Sequence, residues 1–70
     1  MTTQGPSKIQ KYNNFTHQAR EAEKRADWLY AAKMWRAALE IARVGFWKDK
    51  ETWSANRASF CKKMEQMARA

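Results

Sequence analysis

From Asn13 onward the chain contains no proline, and this constrains its fold more than any other feature. Gly5 and Pro6 lie in a small, polar opening segment. Beyond it Val, Ile and Thr are scarce, apolar–polar alternation is absent, and Ala, Lys, Arg, Glu and Met dominate. Such a composition favours helix throughout. The pattern predicts an all-α domain of three helices over residues 13–70, preceded by a flexible arm over residues 1–12.

The first helix is expected from about Asn14 to Arg25, capped by Asn13 or Asn14. Tyr12, Phe15, Ala19, Ala22 and Ala26 then share one narrow stripe, while Gln18, Glu21, Lys24 and Arg25 stay in water. Asp27 is a plausible cap for a second helix from Trp28 to about Arg43, with Gly45 as its left-handed stop. Trp28, Ala31, Ala32, Trp35, Ala38, Leu39 and Ala42 fill one face of that helix. Tyr30, Met34, Ala37 and Ile41 form a second apolar stripe, which leaves Lys33, Arg36, Glu40 and Arg43 as the polar side. One apolar face suffices for a surface helix. The second stripe therefore packs on the third helix or meets another molecule.

A third helix is expected from near Lys50, capped by Asp49, towards Ala68. Trp53, Arg57, Phe60, Cys61, Met64, Met67 and Ala68 lie on one face, with Ser54, Lys62, Glu65 and Arg69 pointing away. The short connection from Val44 to Lys48 makes the second and third helices antiparallel. Alanines that admit a close neighbour, with tryptophans filling the flanks, match the packing of a single tetratricopeptide-type hairpin. The third helix follows that hairpin. A lone hairpin finishes its surface with a cap, a copy of itself or a partner, so an oligomer is expected.

At 70 residues the core is small. Cys61 is the only cysteine, which rules out an intramolecular disulfide and a cysteine-based zinc site. Four Trp, three Phe and two Tyr are the available compensation. No apolar run approaches the ~20 residues that span a bilayer, and the opening residues lack a signal-peptide core, so a cytoplasmic protein without membrane contact is expected. The net charge of +7 divides as +3, +1 and +3 over residues 1–26, 27–47 and 48–70. A surplus spread this evenly raises encounter rates with acidic partners without identifying one.

Catalysis is not expected. His17, the only histidine, sits on a polar face, Cys61 reads as a buried inert thiol, and no glycine-rich phosphate loop is present. No metal or cofactor is called for. Direct DNA reading is disfavoured as well, because the second helix is apolar around most of its circumference. On the third helix, Ser54, Asn56, Arg57, Lys62 and Lys63 do not share a face. Arg57 has two readings: a stem lying over Trp53 with its head in water, or a specific partner such as Trp53 or Glu40.

The pattern Trp28-x3-Ala32-x2-Trp35-x2-Ala38-x3-Ala42, followed by Trp53-x3-Arg57-x3-Cys61, resembles the AraC negative regulator (ANR) family, and more loosely the PerC-type regulators. The likeness covers about residues 19–61. It implies a small cytoplasmic protein of Gram-negative enteric bacteria that binds virulence activators of the AraC/XylS type and suppresses them. An influence on the nucleoid protein H-NS is implied too. By the packing above, the shared residues Trp28, Ala32, Trp35, Ala38, Ala42, Trp53, Arg57 and Cys61 are mainly structural. That leaves the second stripe as the expected protein-binding surface: Tyr30, Met34, Ala37, Ile41 and Leu29, with Lys33 and Arg36 on its rim. The competing expectation is a small basic nucleoid-associated or DNA-binding regulator.

Overall fold

A computed structural model describes residues 7–69. They form α1 (Lys8–Lys24), α2 (Trp28–Val44) and α3 (Lys48–Arg69), with no strand among the described residues. The first helix begins at Lys8 rather than Asn14, because Ser7 and Gln10 make a capping box. The Gln10 amide donates to Ser7 Oγ at 3.2 Å, and the Ser7 amide donates to Gln10 Oε1 at 3.1 Å. Residues 8–12 are therefore helical rather than part of an arm, and residues 1–6 of that expected arm lie outside the described residues.

Both turns use one device. The Ala26 amide donates to the Glu23 carbonyl and the Asp27 amide to the Ala22 carbonyl; Phe46 and Trp47 repeat this with Arg43 and Ala42. This is the Schellman closure, which needs one left-handed residue. Ala26 and Phe46 supply it, each at φ 59°. Ala26 thus leaves the expected α1 stripe, and Gly45 is not the left-handed stop: it sits at φ −83°. Glycine is required there for space. A Cβ on Gly45 would stand 2.8 Å from Trp47 Cε2. Asp27 does cap α2, its carboxylate accepting from the Tyr30 amide.

The middle helix, α2, packs on both others. Ala19 and Ala22 of α1 meet Ala31 and Trp35 of α2 and Ala58 and Cys61 of α3 in one buried cluster. Tyr12, Ala38 and Ala42 form a second, flanked by Phe15, Ile41 and Trp47. The Trp28–Phe60 and Trp35–Trp53 ring pairs set α3 antiparallel to α2. The buried side of α3 is Ser54, Ala58 and Cys61, rotated from the expected stripe. Arg57 and Met64 are only half-buried, and Trp53, Phe60, Met67 and Ala68 are exposed. Small residues let α3 approach closely, while Trp53 and Phe60 close the edges of the contact from outside. Ser54, expected to point away, is fully buried.

Candidate functional site

Glu23 is the polar centre of the molecule. It lies one turn after Ala19, on the flank of α1 that faces both other helices. Its Oε2 accepts from Trp35 Nε1 at 2.7 Å, from Cys61 Sγ at 3.1 Å and from Arg57 Nε at 3.3 Å. Oε1 accepts from Arg57 Nη2 at 2.7 Å. One carboxylate on α1 therefore holds α2 through an indole and α3 through a two-pronged guanidinium and a thiol. Such forked, charge-assisted bonds are among the stronger ones available to a side chain.

Burial pushes the Glu23 carboxyl up, but the bonds from Arg57, Cys61 and Trp35 outweigh it and leave the group below the ordinary glutamate range. Burial pushes the Cys61 thiol up, and the bond to Glu23 and its negative charge add to this, bringing it to about 12. A nucleophilic cysteine needs the opposite shift. Cys61 is a donor here. Arg57 stays 34% exposed at its side chain, with its guanidinium 4.6 Å from the Phe60 ring centroid. Its specific partner is thus Glu23 rather than Glu40, which pairs with Arg43. Trp53 is instead covered by Arg20, at 5.1 Å from the ring.

The family-pattern residues fall into two groups. Trp35, Arg57 and Cys61 meet at Glu23, with Trp53 edge-on to Trp35 at 4.9 Å. Ala38 and Ala42 are buried against Tyr12, while Ala32 and Trp28 flank the first cluster. The residues expected to bind protein divide as well. The Tyr30 hydroxyl donates to Gln18 at 2.9 Å, Met34 packs on the first cluster, and Ile41 packs on the second. Ala37 is half-buried between them. Tyr30 and Ile41 of the second stripe thus meet α1; Tyr30 stays exposed, and Met34, Ala37 and Ile41 are half-buried. Leu29, Lys33 and Arg36 lie elsewhere, on a groove shared with Lys62 and Gln66 of α3.

Sequence reasoning passed over Glu23 and Ser54. The signal for Glu23 was available: an arginine on an apolar stripe calls for an acid, and Glu23 falls four residues after Ala19 on the α1 stripe. For Ser54 nothing in the spacing distinguished it from a solvated serine. The Tyr12 hydroxyl, 2.9 Å from Ser54 Oγ, is what makes its burial tolerable. Among the described residues no cluster of His, Cys, Asp and Glu could hold a metal, and no helix is long and apolar enough to cross a membrane. Comparison with protein-family models, curated proteins and solved structures found no match.

Proposed function

We propose that this protein is a cytoplasmic, non-enzymatic negative regulator of virulence transcription. It binds an AraC/XylS-type activator directly and blocks that activator's dimerisation and DNA binding. The observation that carries the reading is the meeting of Trp35, Arg57 and Cys61 at one carboxylate. These residues are far apart in the chain, and the ANR-like pattern groups them; in space they form one unit that fixes three helices. That shared contact supports the reading, because residues the pattern groups along the chain also meet in space.

In this reading α1 and α2 are a tetratricopeptide-type hairpin and α3 is its cap. Exposed apolar side chains outside the core, among them Leu29, Val44 and Phe46, provide contact surface for the activator or for a second copy of the chain. A homo-oligomer built on Val44 and Phe46 would leave Leu29 open to the target. Activators of this type grip spaced sites as dimers, so losing the dimer contact weakens their hold on DNA. A nucleoid protein such as H-NS is the second partner that the resemblance implies.

The second reading, a small basic nucleoid-associated or DNA-binding regulator, is favoured by the net charge of +7. Fluorescence anisotropy on a labelled promoter site of an AraC-type activator separates the two. The expected result is that this protein leaves free DNA unshifted and strips the activator from it, with weak dependence on salt. Unaided DNA binding that weakens steeply with salt would establish the second reading instead.

A further inference from the structure

The flank of α2 turned away from α1, together with the adjoining flank of α3, encloses a groove that the Glu23 contacts do not use. Its first stretch, about 350 Å³, lies between Leu29 and Ala32 of α2 and Gln66 and Arg69 of α3. Arg36 and Lys62 border both this stretch and the next, whose floor includes Leu39, Ala55 and Ala58. Leu39 and Ala55 carry on into a third stretch that reaches Arg43 and Lys48. Shared lining residues make these one channel along the α2–α3 seam. From Leu29 to Arg43 it runs for about 21 Å at the helical rise of 1.5 Å per residue.

An apolar strip of Leu29, Leu39 and three alanines runs along the channel beside Thr52, Asn56, Ser59 and Gln66, and the rim is basic. Among the described residues Lys33, Arg36, Lys48 and Lys62 enter no ion pair. The two carboxylates along the channel are already engaged, Glu65 by Arg69 and Glu51 by Arg43. An uncompensated positive rim thus frames a trough with an apolar strip between two antiparallel helices, the place where a further helix packs in larger bundles.

Each simpler occupant meets half of these features. A second copy of a chain carrying +7 would set this rim against more positive charge. A phosphate backbone would use the cations and leave Leu29, 57% exposed, and Leu39 without apolar contact. A neutral apolar helix would cover the floor and leave the cations uncompensated. One that is acidic on its flanks and apolar along one stripe meets both. We propose that the α2–α3 channel is the docking site for an acidic amphipathic helix of a partner protein, about 14–16 residues long at 1.5 Å per residue. Its apolar stripe lies on Leu29, Ala32 and Leu39, and its carboxylates face Arg36, Lys48 and Lys62. This deepens, and rests on, the reading of the protein as one that grips another.

The test titrates the full-length protein into a fluorescein-labelled helical peptide of about 16 residues, with Leu at heptad positions a and d and Glu elsewhere. A control peptide carries Gln for every Glu, and a labelled DNA duplex serves as the nucleic-acid probe. The expected result is that the acidic peptide binds about tenfold or more tightly than the Gln peptide, with amide NMR shifts along α2 and α3. Arg36→Glu/Lys62→Glu and, separately, Leu29→Ser each weaken the acidic peptide about fivefold or more while helical circular dichroism is retained. Equal binding of both peptides, no binding of the acidic peptide, or shifts confined to α1 would overturn the proposal. So would tighter binding of the duplex that Leu29→Ser leaves intact; that outcome would assign the channel to nucleic acid. The activator-release assay separates this failure from that of the parent reading. If Arg36→Glu/Lys62→Glu still strips the activator, the channel proposal fails alone. If wild-type protein binds the acidic peptide but leaves the activator on DNA, the anti-activator reading fails alone.

Discussion

The helix α1 is fastened at two levels, and the two fastenings are built from different chemistry. Near its start Tyr12 is buried, edge-on to Trp47 at 6.0 Å, with its hydroxyl paired to Ser54 at 2.9 Å. The hydroxyl also donates to the Lys50 carbonyl at 3.4 Å, and the Lys50 ammonium lies 5.9 Å from the Tyr12 ring. Near its end Glu23 brings a charge into partial burial and surrounds it with donors from α2 and α3. A neutral pair costs little to bury. A charged hub costs more to desolvate, but it holds only in one arrangement of three helices, since each missing donor leaves charge uncompensated. The Glu23 end therefore carries the specificity of the fold, and the Tyr12 end carries plain packing.

Trp35→Ala should be the most damaging change, because it empties the first cluster and removes a Glu23 donor; a loss of about 3–5 kcal/mol is expected. For a chain this small that amounts to unfolding, visible as loss of the cooperative thermal transition by circular dichroism. Glu23→Ala should follow, at about 2 kcal/mol, moderated because the Arg57 head can turn to water. Tyr12→Phe should cost about 1 kcal/mol, leaving Ser54 Oγ without its partner. If Tyr12→Phe proved the costlier of these two in urea melts, the distinction drawn between the ends would be broken.

pH sharpens the same comparison. Because the folded Glu23 carboxyl titrates below its unfolded value, its contribution is complete above the ordinary glutamate range of about 4.3 and is lost as pH falls through the lowered value. Glu23→Gln should remove this part of the acid sensitivity, and Tyr12→Phe should leave it intact. Cys61 acts at the other end of the scale. Its folded thiol stays neutral to about 12, so stability should erode as pH rises above about 8.5, where the unfolded thiol ionises. Cys61→Ala should flatten that alkaline slope, whatever it costs at neutral pH. The smallest effect belongs to the second turn. Phe46 is 85% exposed and left-handed, so Phe46→Gly should stabilise by about 0.5–1 kcal/mol in thermal melts.

Much of the fold is legible in the sequence. The proline-free run and alanine-rich spacing determined three helices, the Asp27 cap, and the buried stripe of Ala31, Trp35, Ala38 and Ala42. Those are local matters, governed by propensity, capping and a 3.6-residue period, and a chain states them directly. The Ser7 capping box is also written in the sequence, as Ser-x-x-Gln within the polar opening residues.

Tertiary structure alone decided which face of α2 meets which neighbour. A helical wheel shows that α2 is apolar over two stripes, but it cannot say that Tyr30 and Ile41 turn to α1 while Leu29 and Arg36 line the α3 seam. Nor can it tell that Arg57 chooses Glu23 over Glu40, or that Ser54 is buried by a tyrosine hydroxyl from 42 residues away. Those outcomes depend on how closely the helix axes approach and at what rotation. Both are set jointly by small residues on three helices, so no single helix encodes them.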